Sequence, residues 1–280
     1  MNEFELKSAL LALKKQDFQL DSGQDISHFI SAMLEHIGSP DPVLRDDLIY
    51  SAFANWIYRD NLFTTQQLTD LLDIVLDDQH VFFHIGECGS DSVFTRAFSV
   101  LLLSLLLNAH RRSPFLPPES IMTVKKELIR FLDKEQDRRG FVAGKGWAHA
   151  IAHAADALDE LALCKEMTPS DLLDILNVVR RVVCDSHQVF THGEEERLGT
   201  VLLSIIGQHA LPDEDICRWI GEFIEPVLVV QQQPAKMYIR ANARNFMQSL
   251  YFRLSWEELL QPYETCLVQT LKSISPFVGG

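Results

Sequence analysis

The chain is poor in the features that most often reveal a function. Its five cysteines, Cys88, Cys164, Cys184, Cys217 and Cys266, are scattered over 280 residues with no C-x-x-C spacing. That pattern argues against a zinc knuckle or a disulfide framework and predicts reduced thiols in a reducing compartment. Basic residues are scarce: 25 Lys plus Arg stand against 39 Asp plus Glu, a formal net charge of -14. Non-specific nucleic-acid binding is disfavoured, because it needs an excess of cations spread over one face. No apolar run reaches the roughly 18 residues of a membrane span. The longest, 97–109, is bracketed by Arg96 and by His110, Arg111 and Arg112, and reads as a buried helix. The first residues, Met1 to Glu5, are acidic where a secretory signal is basic, so a cytoplasmic protein that does not engage a membrane is expected. Neither a Gly-x-Ser-x-Gly elbow nor a phosphate-binding G-x-x-x-x-G-K-[ST] loop occurs, which removes support for those two chemistries.

Alternating Val/Ile/Thr segments are nearly missing, whereas helical periodicity recurs throughout, so the predicted class is all-α. Thr168-Pro169-Ser170-Asp171 and Ser255-Trp256-Glu257-Glu258 each set a hydroxyl cap three residues ahead of a carboxylate. Pro42, Pro117-Pro118 and Pro212 also open helices, where a missing N–H costs nothing. One set of helices is predicted near 24–37, 65–78, 118–134, 169–184, 213–229 and 256–273. A second set is predicted near 42–58, 91–110, 146–163, 194–209 and 235–251.

An internal repeat links these sets. Asp70-Leu71-Leu72-Asp73-Ile74 returns as Asp171-Leu172-Leu173-Asp174-Ile175, and Leu102-Leu103-Ser104-Leu105 as Leu202-Leu203-Ser204-Ile205. Arg45, Arg96, His149, Arg197 and Arg240 recur at similar depths in the second helix of each pair. A period of this size with a helix pair per unit predicts a HEAT-like α-solenoid, five pairs plus a C-terminal helix, as a single domain over 1–280.

The segment 137–160 carries the densest chemistry. A glycine-bearing loop, with Gly140, Gly144, Lys145 and Gly146, leads into a helix on which His149, His153, Asp156 and Glu160 stand at i, i+4, i+7 and i+11 and so share one face. Alanines around them favour close approach of neighbouring helices, so the polar stripe is expected to line a groove. Two readings stay open. His149, His153 and Asp156 form a plausible three-ligand set for a divalent metal, Zn or Fe, although the Glu of an H-E-x-x-H helix is missing. Alternatively, the same groups hydrogen-bond loop backbone and pin the loop to the groove. Arg96, Arg197, Arg240 and Arg244, from other second helices, are predicted near the stripe and would make a local cationic strip.

Asp137-Arg138-Arg139-Gly140, then Gly146-Trp147-Ala148-His149 and Ala152-His153-Ala154-Ala155-Asp156, resemble the signature of an uncharacterised bacterial family, a domain of unknown function with the form D-x-R-G…G-W-x-H-x-x-x-H-x-x-D. The resemblance implies a bacterial cytosolic protein with a repeat-type helical fold and no particular activity. It puts weight on Asp137, Arg138, Trp147, His149, His153 and Asp156 as one constellation.

Two functions of different class follow. The first is a binding module that holds a small anionic ligand or an acidic peptide segment in a concave groove, through Arg96, Asp137, Arg138, Lys145, Trp147, His149, His153, Asp156 and Arg197. The second is a metal-dependent enzyme, a hydrolase, with His149, His153 and Asp156 as ligands and Glu160 or Glu194 as base.

Overall fold

The computed structural model describes residues 1–20 and 25–276. It is 66% helix and 1% strand, which establishes the all-α class. Backbone contacts divide the chain into two compact units, Met1–Glu160 and Leu161–Gly280.

The first unit begins with α1 (Glu3–Lys14), a helix absent from the prediction although its capping box is local: Asn2 accepts from the Glu5 amide and Glu5 accepts from the Asn2 amide. α2 spans Ile26–Glu35; Gln24, the first residue of the predicted 24–37 helix, lies outside the described residues. α3 is continuous from Val43 to Arg59 but changes winding, with π turns over Val43–Tyr50 and Asn55–Arg59 flanking an α turn at Ser51–Ala54. Wide turns of this kind are rare and gather at functional sites. α4 (Thr65–Val75) packs on α5 (Ser92–Arg112), and α6 (Pro118–Lys134) starts at the predicted proline.

Helix α5 is the core of this unit. It is long and apolar enough to cross a membrane by length and composition, yet 78% of its most apolar window is buried within the fold, as in a core helix. Leu101 to Leu103, Leu106 and Leu107 are all buried. Each full burial of such a side chain contributes about 1.5–3 kcal/mol relative to leaving it exposed to water. After α6 the chain does not pass directly into a helix at 146. Gly144 and Gly146 take left-handed φ values of 76° and 77°, which turn Phe141–Val142 (β1) back onto Gly146–Trp147 (β2). Helix α7 (Ala150–Ala162) follows.

The second unit contains α8 (Pro169–Val183), α9 (Glu194–Gly207), α10 (Asp213–Gly221), α11 (Ile224–Val229), α12 (Ala235–Trp256) and α13 (Glu264–Ile274). The Thr168/Asp171 capping box forms as predicted. Two predicted boundaries are corrected. The 213–229 helix is broken at Glu222-Phe223, because Pro226 lacks the N–H for a continuous helix and its ring would meet the Glu222 carbonyl; it is accommodated only in the first turn of a new one. Ser255 does not open a helix: α12 runs through it to Trp256, and α13 starts only at Glu264.

The core of this unit is aromatic. Phe223 stacks on Phe246 at 5.5 Å, and Trp219 meets both edge-on while its indole N–H donates to the Leu176 carbonyl at 2.9 Å. Cys217 of α10 is disulfide-bonded to Cys266 of α13, their Cα atoms 5.7 Å apart. The expectation of five reduced thiols is therefore corrected for this pair, while Cys88, Cys164 and Cys184 are free. The two cysteines are 49 residues apart, and only the packing of α10 on α13 brings them together. Cys184 stays free, its thiol pushed up to about 12 by burial and hence unreactive as a nucleophile.

Candidate functional site

The predicted site residues fall in the first unit, except Glu194, Arg197, Arg240 and Arg244, which belong to the second. Arg197 lies exposed on α9 of the second, and Glu194, offered as a base, is buried there with its carboxylate accepting from the His192 amide at 2.9 Å.

Arg96 was expected to face a ligand but is fully buried near the start of α5. Its guanidinium grips Glu135 at two points, Nε to Oε2 at 2.6 Å and Nη2 to Oε1 at 3.0 Å. Its remaining donors go to the carbonyls of Phe83, His84 and Glu87 and to the Ser92 hydroxyl. A guanidinium has five N–H groups, all committed here, so none is left for an external anion. Arg96 therefore ties the turn before α5 to the end of α6.

Glu135 also accepts from the Asp137 amide at 2.8 Å, and the buried Asp137 carboxylate continues the network. It accepts from the Gly89 amide at 2.9 Å and from the backbone and guanidinium of Arg139. Burial pushes its pKa up, but the Arg139 side chain and the Gly89 and Arg139 amides outweigh that and hold it below the ordinary carboxylate value. Arg139 also donates to the Ser90 carbonyl. The partner of Asp137 is thus Arg139, the third position of D-x-R-G, whereas Arg138 is buried beside it.

The hairpin is fastened at its other end by Arg45, a fully buried residue of α3 that had marked the repeat but carried no site role. Arg45 donates to the carbonyls of Ser39, Lys145 and Trp147 at 2.6, 2.7 and 3.2 Å, and lies over the rings of Phe94 and Phe98 at 4.2 and 4.8 Å. Gly146 must be small at this contact: a Cβ there would stand 2.7 Å from Pro42 Cβ, in a left-handed backbone. Gly146→Ala is therefore expected to lower stability by about 2–4 kcal/mol, strain and overpacking together, read as a shift of the urea midpoint; an unchanged midpoint would show that the hairpin is not seated on α3.

Lys145, expected to meet an anion, is held by both oxygens of Asp91 at 2.7 and 2.6 Å. Trp147 is partly exposed; its ring meets Phe141 edge-on at 5.1 Å and stacks on His149 at 4.4 Å. His149 closes the loop: its amide donates to the Arg139 carbonyl, its φ is 52°, and its carbonyl receives the His153 amide as the first turn of α7. His153 is buried, with Nδ1 3.1 Å from the Ala97 carbonyl and its ring edge-on to Phe98 at 5.1 Å.

The predicted metal set is not assembled. The two imidazole rings are 5.9 Å apart at 80° to each other, and His153 is turned to α5. Among the described residues no group of three or more His, Cys, Asp or Glu side chains is arranged to hold an ion. Asp156 instead lines a groove further along the same helix.

That groove has a volume of about 360 Å³. Asp156, Asp159 and Glu160 of α7 form one wall and Tyr50 and Tyr58 of α3 the other, with Leu101, Ser104, Leu105 and Asn108 of α5 as floor. Glu160 accepts from Asn108 at 3.1 Å and pairs with Arg111. Of the predicted stripe, Asp156 and Glu160 line this groove and the two histidines do not; the lining is acidic, because Arg96 is spent on Glu135 and Arg197, Arg240 and Arg244 belong to the second unit.

Near the N-terminus of α3, Asp46 has a carboxyl pushed up to about 6 by burial; the neighbouring Arg45, 2.8 Å away, offsets that only in part. The prediction is an Asp46 carboxyl resonance that titrates near pH 6 in carbon-detected NMR, in contrast to a solvated aspartate near 4. A midpoint near 4 would show that hairpin and α3 leave it open to water.

Residues 81–252, more than half of the chain, match the family described as Protein of unknown function (DUF2785). The chain belongs to this family. In this DUF2785 chain the match takes in the whole braced segment, from the turn before α5 through the hairpin and α7, and continues to α12. No curated protein and no solved structure matches it.

Proposed function

We propose that this protein is a binding module whose first unit receives a cationic, amine-bearing group in the groove between α3 and α7. One observation carries the reading: three carboxylates, Asp156, Asp159 and Glu160, share a hollow with Tyr50 and Tyr58. Asp156 and Asp159 would attract an ammonium, Glu160 being paired with Arg111, and the Tyr50 ring would add cation–π attraction worth about 0.5–2 kcal/mol, since the Tyr58 ring already carries the Arg112 guanidinium at 4.8 Å. The anion reading weakens because Arg96 and Lys145, which it needs, are satisfied internally. The D-x-R-G…G-W-x-H signature acts as a brace that sets the position of α7 against α3 and α5. The helix pairs α4–α5 and α8–α9, which carry the sequence repeat, support a repeat-type scaffold of the solenoid kind behind each surface.

The test is thermal unfolding at low ionic strength with spermidine, and with inorganic phosphate as the opposite charge. Spermidine is expected to raise the midpoint and phosphate to leave it unchanged. Because the whole molecule is acidic, the decisive comparison is between two equal charge removals. Asp156→Asn/Asp159→Asn should abolish the shift, whereas Glu257→Gln/Glu258→Gln, on the second unit, should retain it. Equal loss in both would reduce the effect to net charge and refute the groove.

A further inference from the structure

Helix α12 is an electrostatic exception in this acidic chain. Over Ala235–Trp256 it holds Lys236, Arg240, Arg244 and Arg253 and not one Asp or Glu. Two of these cations are used within the second unit: Arg253 donates to the Glu196 carbonyl and the Thr200 hydroxyl, and Lys236 to Gln231. Arg240 and Arg244 are different. Neither has a hydrogen bond or an ion pair among the described residues, and Arg240 Nε is buried without an acceptor. They stand one turn apart, where like charges repel by about 0.2–0.5 kcal/mol, so the fold leaves the pair unneutralised at a small cost.

The apolar residues beside them are equally unmet. Met237, Arg244 and Phe252 lie on one face by helical spacing, with Arg240 and Trp256 at its borders. Met237 and Phe252 are each 53% exposed and Trp256 75%, and the Phe252 and Trp256 rings stack on each other at 6.3 Å. Scattered exposed apolar residues need no explanation, but a Met, a Phe and a Trp aligned with free arginines have the composition of an interface core, where aromatics, Met and Arg are enriched.

We propose that this face of α12 docks an acidic segment of a partner protein. Carboxylates of that segment would take the Arg240 and Arg244 guanidinium groups in bidentate hydrogen bonds, and its apolar side chains would cover Met237, Phe252 and Trp256. Charge complementarity selects this occupant. An acidic segment is repelled by a molecule of net charge -14 as a whole, so it is drawn only to a locally cationic stretch, and α12, with four Lys and Arg and no Asp or Glu, supplies one. The groove of the first unit, being acidic, has no part in it.

The test uses the full chain and a fluorescein-labelled 12-residue peptide in which Glu alternates with Leu and Phe, read by fluorescence anisotropy at physiological salt. The wild type is expected to bind it and to ignore the matched peptide with Lys in place of Glu. Arg240→Gln/Arg244→Gln should weaken binding at least tenfold, and Trp256→Ala, which leaves the charges intact, should weaken it as well. Both positions lie on the surface of a continuous helix, and an unchanged circular dichroism spectrum confirms that the variants fold. Equal binding of the two peptides, or no loss in the double variant, overturns the proposal. So does a case in which only phosphatidylserine-containing vesicles shift the Trp256 emission, which would make the face a lipid-contacting one.

Discussion

Arg96→Met is expected to destabilise the first unit by about 3–5 kcal/mol, more than any other single substitution considered for this chain. The size comes from what is left behind. Glu135 is buried beside Arg96, so removing the guanidinium strands a carboxylate with no water to solvate it, and the contacts to the Phe83, His84 and Glu87 carbonyls at the turn before α5 disappear with it. The pair itself is not the source of net stability, since the desolvation of two ions roughly cancels their attraction. Accordingly, Arg96→Met/Glu135→Leu is expected to recover much of the loss, short of the Asp137 amide bond that Glu135 also makes. Urea unfolding followed by the fluorine signal of 5-fluorotryptophan at Trp56, buried in this unit, reads the change where it occurs. A double variant as unstable as the single one would contradict the account.

Asp137→Asn is expected to cost about 2–3 kcal/mol at neutral pH, because the charge-assisted bonds to Arg139 and the Gly89 amide are weakened while the shape is kept. Its pH dependence has a definite sign. The Asp137 pKa is lowered in the folded protein, so its ionised form contributes stability above the ordinary carboxylate pKa, and that contribution is lost as pH falls through the folded value. The difference between wild type and Asp137→Asn should therefore be constant from pH 7 to about 5, begin to shrink near pH 4, and vanish in stronger acid. A gap that widens on acidification would place the carboxylate in a different environment.

Local signals in the chain translate directly into structure. The Thr168 cap, the prolines that open α6, α8 and α10, and the apolar stripe of α8 all depend on residues within a few positions of one another. The shared face of His149, His153, Asp156 and Glu160 is legible for the same reason, since helical geometry alone sets it. Where that face points, and with what charge, is decided by distant partners. Arg45 reaches a carbonyl 100 residues away, Arg96 a carboxylate 39 away, and the Cys217–Cys266 pair spans 49. From sequence Arg96 reads as facing a ligand, Cys217 and Cys266 as reduced thiols and Arg45 only as a marker of the repeat, because a distant partner is invisible until the chain is folded. Arg139 is an intermediate case: the D-x-R-G spacing marks it, but only the bonds to Asp137 distinguish it from Arg138.

The central claim is that the signature segment is a satisfied brace between α3, α5 and α6 and not an open ligand loop. Native-state hydrogen exchange of the Gly89, Ala148 and His149 amides tests it most directly, because these donate to Asp137, to the Gly140 carbonyl and to the Arg139 carbonyl. The account predicts that they exchange as slowly as the core amides of α5, through the same rare opening. Exchange at the rate of a solvated loop would contradict it.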